Sequence, residues 1–316
     1  MALATCMKKI VLILIVLILL AVACLYVFIP GKIVITESRV VATTASGADT
    51  CLHNVKKWKK WWPGKSLPSG EDSVYRYDGY SYTLSNTFTG GGVILIGSNS
   101  FSLSSTLHAI TKNRDSVIIE WNAVLQTGNN PFTRLSAAGL RKSIGTVFES
   151  LCNFAGKTEN IYGFPIERTT FTEVNLMAYR FNTVTYPTTD IVYDAINKLR
   201  QYIISQGAAE KYYPMISTKQ ADSSQYETMI AISVDKTIQP GGNFFRSQMI
   251  AMKDRFLATE VTGGPATLEQ AHRAIQNYMR DHILSPPGRP FEILLTNRSK
   301  ETDTTKWRTK IFYPSM

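Results

Sequence analysis

The chain has 316 residues and a formal net charge of +10. Residues 31–316 exceed what one hydrophobic core usually serves, which excludes a single small domain and predicts two. The basic excess lies in the first of them, since 31–157 holds 14 basic and 8 acidic residues, whereas 158–316 holds 18 and 16. We therefore divide the chain into a segment 1–31, a domain 32–157 and a domain 158–316.

The N-terminal segment is apolar without interruption from Ile10 to Ile29. Such a helix spans about 30 Å, the hydrocarbon thickness of a bilayer. A cleaved signal usually has an apolar region of only about 7 to 15 residues, so the length predicts a retained transmembrane anchor. Lipoprotein processing at Cys24 is the open alternative, because small residues precede it, although residues 25–29 stay apolar.

The charges that flank this span predict its orientation. Two lysines at 8–9 precede it, and Lys32 and Arg39 follow it. The positive-inside rule then places the N-terminus in the cytoplasm and the body on the periplasmic or extracytoplasmic side. Disulfides persist in such a compartment, so Cys51 and Cys152 are either a disulfide pair or two buried thiols.

The first domain alternates short strands with turns. A strand is predicted at 33–41, and a short helix at 48–57 is stopped by Pro63-Gly64. Glycine- and asparagine-rich turns then separate five predicted strands, whose short connections indicate an antiparallel sheet: 73–77, 80–88, 93–97, 100–111 and 116–127. A helix from Pro131 to Gly156, apolar on one face, closes the domain.

A basic, tryptophan-rich run lies between the short helix and the strands. It has lysines at 56, 57, 59, 60 and 65 around Trp58, Trp61 and Trp62. Such a run suits single-stranded nucleic acid or lipid headgroups. We favour a solvated helix end whose tryptophans enter the core.

The strand order, the turn WKKWWPG and Pro131 at the start of the last helix resemble the SRPBCC superfamily, which includes START lipid-transfer and polyketide-cyclase-like proteins. The resemblance implies a helix-grip fold, in which a curved sheet and a long helix enclose an apolar cavity. Phe101, Leu103 and Trp121 would either line that cavity or fill it.

The second domain contains an internal repeat, which predicts two similar βαβ-type units with a ligand groove between them. The helix AINKLRQYI begins at Ala195, and AIQNYMRDHI begins 79 residues later at Ala274. The extended runs KYYPMISTK and RPFEILLTN follow the two helices 78 residues apart, and the strands YETMIAISV and RTKIFYP close the copies.

The segments VTGGP at 261–265, GRPFEILL at 288–295 and the final TKIFYP resemble the GyrI-like effector-binding domain, which also occurs in multidrug-responsive transcription regulators. That family implies a carboxylate among aromatic rings that engages cationic, apolar ligands, and the acid falls on Glu292. The family usually has an acid just before the last apolar strand, where this chain has Lys310. A cation at that position would neutralise Glu292 or narrow the range of ligands.

The predicted fold class is α+β, with one transmembrane helix, a helix-grip SRPBCC-like domain and a duplicated βαβ-type GyrI-like domain. A poorly solvated carboxylate favours a ligand cation that also contacts ring faces. Glu292 is the central predicted ligand-binding residue. Five aromatic residues and a second acid complete the predicted site: Tyr179, Phe181, Tyr213, Phe291, Tyr313 and Glu227.

Motifs for phosphate binding, zinc hydrolysis, paired cysteines and nucleophile elbows are missing from the sequence. His272 and His282 share a helix but are too far apart along its axis for one metal. The sequence therefore predicts no catalytic set, cofactor or metal.

The predicted function is a membrane-anchored protein that senses or sequesters a small apolar or cationic molecule. The usual regulator of that family has a helix-turn-helix ahead of its sensor, whereas here the preceding segment resembles a second binding domain. We therefore expect no nucleic-acid partner, and signalling would require a partner protein. Two alternatives stay open: a hydrolase of small electrophilic compounds that uses a pocket carboxylate, and a structural protein with filled cores.

Overall fold

The computed structural model describes residues 2–64, 74–173, 175–222, 224–248 and 253–316. The chain forms two compact units, an N-terminal unit of residues 1–157 and a C-terminal unit of residues 158–316. Each unit combines helices with one antiparallel sheet, of six and eight strands respectively. The α+β class with antiparallel sheets is confirmed.

The first helix, α1 (Ala2–Phe28), is apolar from Ile10 to Phe28, and no part of this stretch is buried. Its length and composition fit a membrane anchor or a signal sequence. The last carbonyls of a helix have no partner inside it. Arg134 satisfies two such groups here by donating to the carbonyls of Tyr26 and Ile29, and its guanidinium lies 4.3 Å from the Tyr26 ring centroid.

The rest of the N-terminal unit follows the predicted order of strands, in a sheet ordered β1-β6-β5-β4-β3-β2. Its elements are β1 (Lys32–Val41), α2 (Ala45–His53), α3 (Val55–Trp58), β2 (Val74–Tyr77), β3 (Tyr80–Phe88), β4 (Gly91–Gly97), β5 (Ser102–Asn113), β6 (Ser116–Gln126), α4 (Pro131–Ala137) and α5 (Leu140–Ala155). Ser73, the predicted start of the second strand, and Lys65 of the basic run lie outside the described residues.

The single helix predicted from Pro131 to Gly156 is wrong, because the structure breaks it between α4 and α5. The Tyr80 hydroxyl donates to the Ser136 carbonyl, the group that an unbroken helix would offer to the Leu140 amide. A β-carbon at Gly139 would also lie 3.2 Å from that hydroxyl. Contact with β3 therefore ends the first helix and starts the second.

Aromatic side chains fill the interior of the N-terminal unit. Trp58 stacks on Trp62 at 5.9 Å, and Trp62 meets the edge of Tyr82, which also packs against Trp121. The Tyr82 hydroxyl reaches Ser143 on α5 at 2.6 Å, so this ring spans from sheet to helix. Trp121, one of the residues expected to line or fill a cavity, is 1% exposed and packs against Tyr82 in this cluster.

Cys51 and Cys152 are buried free thiols and do not form a disulfide. Burial raises the pKa of the Cys51 thiol to about 11 and that of Cys152 to about 12. Both side chains are therefore protonated, unreactive core residues at neutral pH.

The C-terminal unit has a sheet ordered β11-β8-β10-β9-β13-β14-β12-β7. Its elements are α6 (Thr158–Tyr162), β7 (Glu167–Thr169), β8 (Asn175–Thr183), α7 (Thr189–Ser205), β9 (Met215–Asp222), β10 (Gln225–Ser233), β11 (Phe244–Gln248), β12 (Phe256–Thr262), α8 (Pro265–Asp281), β13 (Phe291–Leu294) and β14 (Arg308–Pro314).

Helices α7 and α8 have 17 residues each and pack over different parts of this sheet. The α7 cluster includes Ile196 and Leu294, whereas the α8 cluster includes Ile275 and Ile311. Alternation along the strands places Phe291 and its neighbours in a third cluster, on the opposite face. The central strand β13 thus lies where the two helix-bearing clusters meet.

Candidate functional site

Glu292 lies on β13, the shortest and most buried central strand of the C-terminal sheet. It pairs with Ile216 of β9 and Ile311 of β14, and it is 9% exposed. Because both partners belong to the helix-side clusters, the Glu292 side chain points to the face that carries α7 and α8. A carboxylate in this position requires partners, and two residues supply them.

The first partner is His272 of α8, which connects Glu292 to Tyr313 in a chain of hydrogen bonds. His272 Nε2 lies 3.1 Å from Glu292 Oε1, and His272 Nδ1 lies 2.9 Å from the Tyr313 hydroxyl. An ionised carboxylate only accepts, so Nε2 donates to it, and Nδ1 of the neutral ring accepts from Tyr313. Gln276 Nε2 donates to the same hydroxyl at 3.3 Å.

The second partner is Arg298, in the loop after β13. Its Nη2 lies 3.9 Å from Glu292 Oε2 and donates to Thr309 Oγ1 at 2.7 Å, and its guanidinium stacks 4.9 Å from the Trp307 ring centroid. The Nε of Arg298 is buried and has no hydrogen-bond partner. Glu292 therefore faces one cation at a distance rather than in a close, bidentate pair.

These residues form the wall of a cavity of about 420 Å³, which we call the Glu292 cavity. Its polar wall is made by Glu292, His272, Gln276 and Arg298. The apolar wall is contributed by α8, the loop before it, the end of β13 and the segment before β14: Pro265, Leu268, Pro290, Phe291 and Trp307. Tyr186 and Tyr313 also line it. The volume suits a small organic molecule.

The two tyrosines are neutral donors at physiological pH. Desolvation raises the pKa of Tyr313; the bond from Gln276 lowers it, and the negative charge of Glu292 raises it further. The pKa of Tyr186 is raised first by desolvation and then by the charge of Glu292. The field of this one carboxylate thus reaches both phenols.

The structure brings together three of the predicted ligand-binding residues, since Glu292, Phe291 and Tyr313 all line the Glu292 cavity. The Arg289 guanidinium pairs with Glu227, outside the lining, and Lys310 pairs with Glu167 at 3.5 Å.

The other three predicted aromatic residues lie away from that lining. Tyr179 and Phe181 pack against the α7 cluster, and Tyr213 is 49% exposed and packs on Tyr212. Both Tyr179 and Phe181 are on β8, which is separated from β13 by β10 and β9.

Sequence reasoning missed His272, Gln276 and Arg298 as site residues. The buried positions Ala271, Ile275 and Tyr278 mark the face of α8 that packs on the sheet. His272 and Gln276 each follow one of these positions and lie at the edge of that face. The helical periodicity of α8 could therefore have identified His272 and Gln276. By contrast, the position of Arg298 near Glu292 depends on the loop after β13.

No protein-family profile matches the chain, and no curated protein sequence matches it. Solved structures do include similar folds. A complex of EcmrR with DNA is 15% identical, with a TM-score of 0.44, over 58% of this chain and 70% of that one. The Zhui aromatase/cyclase from a Streptomyces species is 12% identical, with a TM-score of 0.30, over 39% of this chain and 93% of that one.

A START superfamily protein from Mycobacterium smegmatis is 10% identical, with a TM-score of 0.28, over 38% of this chain and 97% of that one. START and aromatase/cyclase folds are therefore among the similar structures. At these scores the likeness concerns the fold and does not extend to an activity.

The expected set of partners, which excluded nucleic acid, is wrong on this comparison. A structure similar to this chain is a protein–DNA complex. The exclusion rested on the lack of a helix-turn-helix ahead of the second domain, and such a lack does not exclude other nucleic-acid contacts.

Proposed function

We propose that the C-terminal unit binds a small apolar molecule whose polar or cationic end meets Glu292. The observation that carries this proposal is a nearly buried carboxylate in the wall of a cavity of about 420 Å³. Burying a carboxylate is costly unless its charge is used or compensated. Arg298 compensates it only at 3.9 Å, which leaves room for a ligand donor at Oε2.

The walls define the chemistry of this ligand. Leu268 and Pro265 offer apolar contact, and Trp307 offers a ring. The exposed Glu269 is paired with Arg273, so Glu292 is the carboxylate of this wall that can meet a ligand, and Arg298 approaches it only to 3.9 Å. An aromatic or aliphatic body with one ammonium group therefore fits better than one with a carboxylate.

The wider setting is part of the same proposal. We infer that α1 is retained as a single-pass anchor, with the folded body on the extracytoplasmic side, and that the protein senses or sequesters its ligand there. The equal lengths of α7 and α8, each followed by one strand of the central β9–β13 pair, support a duplicated GyrI-like arrangement. The division at residues 157 and 158 supports an N-terminal SRPBCC-like domain as a separate module.

Three probes that share one aromatic body test the proposal: 2-naphthylmethylammonium, 2-naphthylmethanol and 2-naphthylacetate. Titration calorimetry of the full chain in detergent should rank their affinities in that order. Glu292→Gln keeps the shape of the side chain and removes its charge. It should weaken the ammonium probe by about tenfold or more, the scale of a hydrogen bond to a charged group, and the alcohol less.

Glu227→Gln is the matched control, because Glu227 is a strand glutamate on the same sheet but outside the cavity lining. It should leave all three affinities unchanged. Tightest binding of the carboxylate probe, or equal losses in both variants, would overturn the assignment of Glu292 as the ligand contact.

The hydrogen-bonded Glu292–His272 pair favours one second candidate, a hydrolase of small electrophilic compounds. A carboxylate that orients an imidazole is part of a general-base arrangement, and here the imidazole would act through the Tyr313 hydroxyl, whose proton it accepts at Nδ1. Styrene oxide and 4-nitrophenyl acetate are suitable probes. Turnover that His272→Asn abolishes, with ammonium binding retained, would favour the enzyme, whereas rates equal to buffer would leave the binding function alone.

A further inference from the structure

Helix α4 carries an exposed apolar stripe. Phe132 is 73% exposed and Leu135 is 60% exposed, and the residue after the helix, Ala138, is also exposed. The spacing of three residues puts these side chains on one face of the helical turn. Large apolar side chains grouped in this way mark a contact surface more often than a solvated one.

The opposite face of α4 is fixed to the end of α1. Arg134 and Ala137 are buried, and Arg134 Nε donates to the Gly128 carbonyl at 3.0 Å. The same guanidinium holds the last carbonyls of α1, and the Tyr26 hydroxyl donates to the Asn129 carbonyl. The stripe is therefore held at the level of the last turn of α1.

That level is the boundary of the apolar span. The candidate membrane stretch ends at Phe28, where Val27 and Phe28 are 77% and 80% exposed. Tyrosine and arginine side chains such as Tyr26 and Arg134 are typical of the headgroup region, where a ring or an alkyl stem stays apolar and the polar end reaches water.

We propose that α4 is a second membrane contact, and that Phe132 and Leu135 insert into the headgroup region of the bilayer that α1 spans. This inference rests on the proposed anchor. Exposed Lys32, at the start of β1, follows Gly31, which lies beside the Arg134 guanidinium, and its positive charge suits anionic headgroups. Two attachments hold the N-terminal unit against the lipid instead of letting it swing on a single helix.

A fluorescent label at position 132 tests the contact in the full chain. The background carries Cys6→Ser and Cys24→Ser, and Phe132→Cys is labelled with a nitrobenzoxadiazole group under native conditions, in which the buried Cys51 and Cys152 do not react. In vesicles of phosphatidylcholine and phosphatidylglycerol, doxyl groups near the lipid headgroup should quench this label. Leu135→Cys should behave in the same way.

Phe88→Cys is the matched control, because Phe88 is 41% exposed at the end of β3. Strand pairing places Phe88 at the level of Ser38, six residues along β1 from Lys32 and thus about 20 Å from the α1 end of the sheet. Quenching at 132 should exceed that at 88 by at least twofold.

Equal quenching at 132 and 88, with the protein still floating with the vesicles, would overturn the α4 contact and leave the anchor intact. Disulfide dimers formed through residue 132 would instead assign the stripe to a second copy of the chain. Loss of flotation would overturn both the anchor and the contact that rests on it.

Discussion

Replacing Arg298 with methionine should make the protein less stable and yet improve its binding of a cation. Met retains most of the apolar stem of Arg298 but removes its charge, its bond to Thr309 and its stacking on Trp307. Removal of a bond to a charged group and a long ion pair should lower the free energy of unfolding by about 1 to 3 kcal/mol.

The binding gain follows from Coulomb's law. At an effective dielectric constant of about 20, unit charges separated by the 3.9 Å between Arg298 and Glu292 interact by about 4 kcal/mol. A ligand ammonium on Glu292 at about 7 Å from that guanidinium is repelled by about 2 kcal/mol. Removing Arg298 should therefore tighten 2-naphthylmethylammonium by about tenfold or more and weaken 2-naphthylacetate.

Calorimetric titration and thermal unfolding of the full chain measure the two effects together. Arg289→Met is the control, since Arg289 pairs with Glu227 and is absent from the lining of the Glu292 cavity. It should change neither probe affinity. Weaker or unchanged ammonium binding by Arg298→Met would refute the electrostatic reasoning, even if stability falls as expected.

Two further predictions concern the thiols and the anchor. With pKa values of about 11 and 12, Cys51 and Cys152 should react with iodoacetamide at about pH 8 at least about 100-fold more slowly in the native chain than in guanidinium, as mass spectrometry would detect. The pKa of each thiol is higher in the folded chain than in the unfolded chain, so the unfolded state loses its protons first as the pH rises. Between the two pKa values, the free energy of unfolding measured in urea should therefore fall by about 1.4 kcal/mol per pH unit for each thiol. A flat profile would contradict the burial of the two thiols. The full chain should stay with membranes after a high-salt wash while residues 33–316 are soluble, and an intact chain in the soluble fraction would contradict the anchor.

Local patterns in the sequence predicted the position of Glu292 but not its partners. Arg289 is three residues from Glu292 in an extended segment, so its side chain leaves on the other face. Lys310 pairs in register with Ile293, whose side chain also points away from Glu292. Strand alternation therefore directs the side chains of Arg289 and Lys310, the two cations expected near Glu292, away from its carboxylate.

The same alternation explains Tyr313, because it shares a face with Ile311, the direct strand partner of Glu292. By contrast, His272 reaches Glu292 only through the packing of α8 across β14, a contact between distant parts of the chain. In the N-terminal unit the strands were predictable from turns, but the break at Gly139 depends on the Tyr80 hydroxyl of a distant strand.

The position of a bound probe in a crystal would show whether Glu292 is the ligand contact. Crystals of the chain with 6-bromo-2-naphthylmethylammonium would show the bromine by its anomalous scattering. We expect a bromine peak in the Glu292 cavity beside Leu268 or Trp307, with the ammonium nitrogen within hydrogen-bond distance of Glu292. A peak on the opposite face of the sheet, beside Met215 and Met229, or a cavity left empty by a probe that binds in solution, would contradict it.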